Sequence, residues 1–546
     1  MTEKANIADF LPEMAARQPD AAAIICPWGR RGGRLTYHQL DERSSAIAHG
    51  LEEIGITRGV RVVLMVPPGL DLFALVFALF KTGAVPVLVD PGIGLKHLKA
   101  CLGNAEPEAF IGVPKAHAAR VILGWGRATV RTTVTAGPRL FWGGHTLAQV
   151  ERQGASLPSS GFPPASADDT AALVFTSGST GPPKGVIYKH GNFIAQVNAI
   201  RDAYGIEPGE VNLPTFPLFA LFDPALGMTT VVPDMDPTRP AKVDPRKIIG
   251  PIEEYGVTTM FGSPALLDTV GRWGEEHGVK LPSLRRVISA GAPVSPKVIE
   301  RFQAMLTGDA AIHTPYGATE SLPVATISSH EILSETRHAT DRGAGTCVGR
   351  PVDSIEAAVI RIDDESISSW REDLKVEDGE VGEIVVKGPQ VSRAYYNAPA
   401  HDRLAKIKEG EAIRHRMGDL GYLDDRGRLW FCGRKTHRVL SSDGTLYTVP
   451  CESVFNTHPD VYRTALVGVG AVGAQCPVLC VELEPGVGAS EKVRIRRELL
   501  ALGGGFEHTK TIRTVLFHPG FPVDIRHNAK IGRTALASWA APRITK

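Results

Sequence analysis

The sequence predicts an α/β protein: a large N-terminal part of layered α/β subdomains with a β-hairpin region, followed by a small mobile C-terminal α+β domain. Three observations carry this. Short β-branched runs ending in glycine or proline alternate with stretches of helical periodicity through the first half of the chain. Near Glu380 the pattern changes to apolar–polar alternation broken by sharp turns. After Arg434 a new set of strands begins and runs into a basic tail, which divides the chain into residues 1–434 and 435–546.

The elements follow in order. "GVRVVLMVPPG", "GAVPVLVDPG", "TAALVFTSGS", "GVTTMFGSP" and "LRRVISAGAP" each read as a buried strand closed by glycine or proline. Continuous apolar runs of this kind belong to parallel sheets covered on both faces. "LFALVFALF", Leu72 to Phe80, lies between Asp71 and Lys81 and is far shorter than the ~20 residues of a membrane span, so a buried helix is expected. In "NFIAQVNAIRDAY", Phe193, Ile194, Val197, Ile200 and Tyr204 share one helical face. "SSGFPPASADD", 159 to 169, reads as an exposed linker. "GEVGEIVVKGP" and "GYLDDRGRLWFCGRK", turning at Asp425-Arg426-Gly427, read as antiparallel hairpins. "TALVGVG" and "PVLCVELEPG" are strands of the last domain. "GVGAVG", 468 to 473, has dinucleotide-fingerprint spacing, but a strand follows where that fingerprint needs a helix, so it reads as a turn.

Composition narrows the function. Sixty basic residues against 59 acidic leave a net charge of +1, which gives no electrostatic case for nucleic acid and favours a small-molecule partner. Seven irregularly spaced cysteines with no CxxC pair suit reduced thiols in the cytoplasm. The N-terminal "MTEKANIADFLPEMAARQPD" lacks the basic and apolar pattern of a leader, and no transmembrane segment is expected. "PDMDP", 233 to 237, has two acids without histidine or cysteine neighbours and makes no metal site.

The chemistry concentrates in "TSGSTGPPKGV", 176 to 186. A strand entering a glycine- and hydroxyl-rich loop presents backbone N–H groups in a concave nest that suits phosphate oxygens. Thr176, Ser177, Gly178, Ser179, Thr180 and Gly181 supply amides and hydroxyls, and Lys184 a mobile cation. A flexible surface turn would not need a hydrophobic strand feeding it. The nucleotide P-loop pattern is absent, because Lys184 is followed by Gly185 rather than Ser or Thr.

This loop resembles the phosphate loop of the AMP-forming acyl-adenylating superfamily: acyl-CoA synthetases, peptide-synthetase adenylation domains and luciferases. Further stretches resemble that family in its order: "SAGAP" (289 to 293), "YGATE" (316 to 320), "GEVGEIVVKGP", "MGDLGY" with Asp419, "GRK" (433 to 435) and "RHNAKIGR" with Lys530. The resemblance implies the adenylate-forming enzyme fold, with ATP and Mg2+ as cofactors. By that resemblance Gly291, Ala292 and Pro293 form the adenine turn, and Tyr316 stacks on the base with Gly317 beside it in the nucleotide site. Thr319 meets a phosphate oxygen, and Glu320, with Thr176, holds magnesium through hard oxygen ligands. Asp419 and Arg434 take the ribose, while Lys530 bridges the substrate carboxylate and α-phosphate as charge builds. Lys530, Glu320, Thr319 and Lys184 are the expected catalytic set.

Two features depart from the family pattern. "FPLFALFDPALG" carries Ala220 where histidine or an aromatic is common, and Thr436 stands where the hinge usually has Asp or Lys. The glycine-rich loop after the hinge is replaced by "SSDGTLYTVPCES". Together with "GAGTCVG", "FCGRKTHRV" and "FPVDIRHNAKIGR", these stretches resemble one branch, the β-lactone synthetases of bacterial long-chain olefin biosynthesis (the OleC type). That branch implies a 2-alkyl-3-hydroxyalkanoic acid as substrate, with a thiolase, a reductase and a β-lactone decarboxylase as partners. A long-chain acyl-CoA or acyl-carrier ligase is the alternative, and a binding protein without catalysis a third reading. His190 and His313 are candidates for the base that takes the hydroxyl proton, or structural histidines. Phe193, Phe216, Phe219, Phe222 and Met228 are either walls for alkyl chains or ordinary core.

Overall fold

The structure, a computed structural model, describes residues 4–29, 32–89, 93–158, 161–162, 164–175, 183–523 and 530–544. Two seven-stranded sheets make the α/β part. In the first, the order is His145–Thr146, Thr132–Thr135, Ala109–Gly112, Arg61–Met65, Val85–Val89, Thr170–Phe175, Gly185–Lys189. In the second it is Ala311–His313, Arg286–Ile288, Thr259–Phe261, Val211–Pro214, Thr229–Val231, Ala22–Cys26, Gly33–Thr36. All neighbours are parallel except the last pair of each sheet. The apolar runs read from the sequence are the inner parallel strands, covered on both faces as such strands must be.

The helix Leu70–Thr82 shows how thoroughly they are covered: every residue from Leu72 to Thr82 is buried. Even Lys81 is enclosed, its ammonium held by Asp41 at 2.6 Å and by the hydroxyls of Ser44 and Ser45, both at 2.8 Å. Its neighbour, the helix Tyr37–Glu53, packs against Leu147–Ala155 so closely that a Cβ on Gly154 would lie 1.8 Å from the Ala46 carbonyl. The apolar face Phe193, Ile194, Val197, Ile200 and Tyr204 belongs to the helix His190–Tyr204 and faces this core.

The third sheet is antiparallel throughout and has eight strands, including Tyr316–Ala318, Ser321–Thr326, Gly382–Lys387, Ala412–Leu423 and Leu429–Arg434. The long hairpin turns at Asp425-Arg426-Gly427, as its sequence requires. Beyond it, the strands Val461–Val469 and Cys476–Leu483 pair antiparallel, with "GVGAVG" as their turn and Thr514–Phe517 alongside. This segment carries its own apolar cores, one around Phe455, Leu466 and Leu499 and another around Val478 and Leu536. Where the replaced glycine-rich loop was noted, there is a small hairpin, Val439–Ser441 with Gly444–Leu446, and then a helix, Thr448–Phe455. No helix among the described residues is long and apolar enough to cross a membrane.

The junction is fixed by charge. Arg416 and Glu383 form a buried pair at 2.6 Å, and Lys435, just past Arg434, reaches the same Glu383 oxygen at 3.1 Å and the Asp363 carbonyl at 2.7 Å. Glu383 is only 1% exposed, so the pair holds the start of the last segment against the antiparallel sheet.

Candidate active site

The long hairpin sets the first two groups. Its register places Asp419 directly opposite Arg434, which explains why residues fifteen apart in sequence meet. Arg434 Nη1 lies 3.1 Å from Asp419 Oδ1 and donates to the Met417 carbonyl at 3.2 Å. The Tyr316 hydroxyl donates to Asp419 Oδ2 at 2.7 Å, and its ring tilts against Phe431 at 6.1 Å. Burial pushes the Asp419 carboxyl up, while Arg434, the Tyr316 hydrogen bond and Lys530 pull it back down. Asp419 in turn holds the Arg434 guanidinium protonated. The 3.1 Å contact lacks hydrogen-bond geometry, so Asp419 Oδ1 is a buried acceptor without a donor among the described residues.

Thr319 and Glu320 sit in the tight turn between Tyr316–Ala318 and Ser321–Thr326. Gly317 is needed there because a Cβ would meet the Ser321 carbonyl at 2.7 Å. Two tyrosines that sequence reasoning did not name hold the turn. Tyr188 donates to the Thr319 carbonyl, and Tyr395 donates to Glu320 Oε1 at 2.7 Å. Lys184, at the start of the Gly185–Lys189 strand, stands 5.4 Å from the Tyr395 ring centre. Burial lowers its pKa and the Glu320 charge opposes that. Lys406, also missed, lies beneath the same tyrosine at 5.4 Å; burial lowers its ammonium to about 8, with Glu320 again opposing. Tyr188, Tyr395 and Lys406 come from three separate places in the chain, and no local pattern marks them.

Lys530, from the last segment, lies near enough for its charge to favour the Asp419 carboxylate, as the smallest of the influences on that group after burial, Arg434, Tyr316 and Glu320. Of the loop 176–186, Thr176, Ser177, Gly178, Ser179, Thr180 and Gly181 lie outside the described residues, as does the first half of "RHNAKIGR". The strands on either side of the loop pair antiparallel up to Phe175 opposite Gly185. The segment 289–293, read from the sequence as the adenine turn, follows the strand Arg286–Ile288, and Gly291 turns there with φ +99°. Ser289 Oγ and Ser321 Oγ are buried without partners. Together with Asp419 Oδ1 they offer unfilled polar positions of the kind a nucleotide would fill. Among the described residues no group of three or more His, Cys, Asp or Glu could hold a metal. A hard cation here would therefore rest on Glu320 and on oxygens brought by a phosphate ligand.

An apolar cavity adjoins these groups. Phe219, Phe222, Leu226, Met228 and Phe261 line it, with Ala290 from the adenine turn and Pro315 before Tyr316. One side of it is polar: Asp223, 2% exposed, accepts from Asn212 Nδ2 at 2.8 Å and from Thr230 Oγ1 at 2.8 Å, and burial pushes its carboxyl up to about 7. Phe193 instead stacks on Tyr188 at 4.7 Å, in the core, and Phe216 packs against Phe219 at 5.3 Å.

The two histidines are held neutral by burial, each pushed down to about 4. His190 Nδ1 accepts from the Ile7 amide at 3.3 Å, so its lone pair is already used in the core. His313 packs edge-on against Tyr204 at 5.3 Å. Their cost appears in acid. Between pH ~6.5 and 4 the unfolded chain takes up protons that the folded one refuses, so stability is complete above that window and is lost as pH falls through it. Asp223 acts in the opposite sense between about pH 4 and 7, because there the folded state holds the extra proton. Each histidine is worth on the order of 2–3 kcal/mol. Thermal unfolding at pH 7.5 and 5.0 should show a clear drop in midpoint at pH 5.0. His190→Gln should shrink that drop, and an undiminished drop in the variant contradicts the assignment.

Two layered α/β sheets, an antiparallel sheet and a small terminal domain around a buried Asp–Arg–Tyr cluster and a Thr–Glu turn define an adenylate-forming enzyme. The chain belongs to the AMP-binding enzyme family, whose model matches residues 11–396. It is 54% identical to the olefin beta-lactone synthetase of Xanthomonas campestris pv. campestris, covering 99% of this chain and 98% of that one. It is 52% identical to the protein of the same description from Stenotrophomonas maltophilia, over 100% of both. The amide bond synthetase McbA from Marinactinospora thermotolerans superposes with a TM-score of 0.81, covering 98% of this chain and 100% of that one at 23% identity, which shows the shared fold.

Proposed function

We propose that the protein activates a long-chain 2-alkyl-3-hydroxyalkanoic acid with ATP and closes it to a β-lactone. The observation that carries this is end-to-end identity above 50% with two olefin beta-lactone synthetases. In the first step a carboxylate oxygen attacks the α-phosphorus, and the bond to pyrophosphate breaks. Lys530 faces the charge that builds on the reacting oxygens, where a preorganised cation in a water-poor site acts most strongly. Asp419 and Arg434 orient the ribose; Ser289 and the turn at Gly291 face the base. Magnesium, when bound at Glu320, supplies charge neutralisation to the phosphates. Thr176 to Gly181, with Lys184, cradle those phosphates.

In the second step the 3-hydroxyl oxygen attacks the acyl carbon, the bond to AMP breaks, and the hydroxyl proton leaves. The nucleophile is part of the substrate, so ring closure gains from positioning rather than from a second binding event. This accounts for the departures at Ala220 and Thr436, which lie in regions that elsewhere in the family serve an incoming thiol. The apolar cavity beside Ala290 and Pro315 suits an alkyl chain. We place the enzyme in the cytoplasm, in a pathway with a thiolase, a reductase and a β-lactone decarboxylase.

One assay tests the proposal. The protein is incubated with ATP, magnesium and a long-chain 2-alkyl-3-hydroxy acid, with and without CoA, and the products are resolved by mass spectrometry. Lactone and AMP formed without CoA are expected. Thioester formed only with CoA would make the protein an acyl-CoA ligase, and absence of pyrophosphate would remove adenylation altogether.

A further inference from the structure

A second cavity lies across the segment Pro214 to Phe222 from the one beside the adenine turn. The first meets that segment at Phe219 and Phe222, the second at Pro214, Thr215, Pro217 and Ala220. Phe219 and Phe261, which line the first cavity, pack with Phe216 in edge-on and tilted contacts, ring centres 4.5 to 6.4 Å apart. Both cavities are partly open to solvent; a water-sized sphere can range over about 70 Å³ in the first and about 140 Å³ in the second, so the second is the roomier.

The walls of the second cavity are unusual in composition. Pro67, Pro68, Pro214, Pro217, Pro233 and Pro237 line it, together with Trp28, Phe73, Val232 and Met235. Proline brings an apolar ring and no backbone N–H, so each of the six removes one donor from the lining, and the Thr215 hydroxyl donates to the Phe261 carbonyl at 2.8 Å. Proline's fixed φ also keeps the walls from relaxing inward to fill the space. Trp28 donates its indole N–H to the Val232 carbonyl at 2.8 Å, which removes the one polar atom of its ring. Ala220, 3% exposed, borders the cavity, and an aromatic side chain there would occupy it.

We propose that this proline-walled cavity is a second alkyl-chain subsite, so that the acid is held astride the helix Pro217–Ala220 with one chain in each cavity. The proposal rests on the reading of the substrate as an acid with two long chains. It makes Ala220 a specificity-determining residue, because the absence of a large side chain there keeps the second arm open.

The test compares two acids, one with long chains at both C2 and C3 and one a 3-hydroxy acid without the 2-alkyl group. Ala220→Phe should lower kcat/KM for pyrophosphate release with the two-chain acid at least ~10-fold while changing the single-chain acid by no more than ~3-fold. Ala220→Leu should give a smaller loss in the same direction, which guards against a folding defect in the bulkier variant. Binding is read separately with a two-chain acid brominated at the end of one arm or the other. Bromine in contact quenches tryptophan emission, and for one of the two arms the quench should vanish in Trp28→Phe. Equal losses for both acids, or a quench indifferent to Trp28, overturn the subsite. A Trp28-dependent quench in wild-type protein that releases no pyrophosphate would sink the proposed reaction and leave the subsite standing.

Discussion

Lys530→Ala is expected to lower the rate of adenylation by ~10²–10³, the loss seen when one preorganised charge donor is removed from a developing oxyanion. The residue comes from the last segment, yet its charge is felt at Asp419, between the antiparallel strands of the hairpin. Because the charge it answers is largest in the transition state, kcat and kcat/KM should fall together while KM for ATP changes little. Lys530→Arg keeps the charge but spreads it over a planar fork, so an intermediate rate is expected. Pyrophosphate release in a continuous assay measures all three proteins. A near-normal rate for the alanine variant would falsify the role given to Lys530.

How much of this was legible in the chain depends on how each feature is encoded. The parallel strands were visible because burial on both faces leaves an unbroken apolar run, as in Val85–Val89 and Thr170–Phe175. The antiparallel partners at the sheet edges were not separately marked. Gly33–Thr36 has only half-buried or exposed residues, and such short, polar edges carry little period. The hairpin and small helix at 439 to 455 were hidden by glycine and proline, which signal turns more strongly than the short elements between them. Pro450 falls in the first turn of that helix, where proline is tolerated.

The site divides in the same way. Tyr316, Gly317, Thr319 and Glu320 are contiguous, and Asp419 and Arg434 face one another across a recognisable hairpin, so local sequence names them. Tyr188, Tyr395 and Lys406 reach the same turn from three separate places in the chain, and nothing beside them announces that meeting. Asp223 stood in plain view inside an apolar run, where a lone carboxylate has to be paired or neutral. That was the signal sequence reasoning passed over.

Glu320→Gln should cost adenylation ~10²–10³ as well, but with a different signature. Glu320 accepts from Tyr395 and lies in the field of two lysines, Lys184 and Lys406. In both lysines burial disfavours the charge and the Glu320 carboxylate restores part of it. Glutamine keeps the shape and an oxygen for Tyr395 but gives up that charge. The ammonium groups then lose a compensating charge, and a hard cation bound at Glu320, as proposed, would lose a carboxylate ligand. The rate should therefore recover partly at high magnesium, with the apparent magnesium affinity weakened at least ~10-fold. Tyr395→Phe removes only the hydrogen bond that aims the carboxylate and should show a smaller shift in the same direction. Titrating magnesium against pyrophosphate release separates the cases. An affinity for magnesium unchanged in Glu320→Gln would place the cation elsewhere, and the lysines around Glu320 would then be needed for the substrate's phosphates alone.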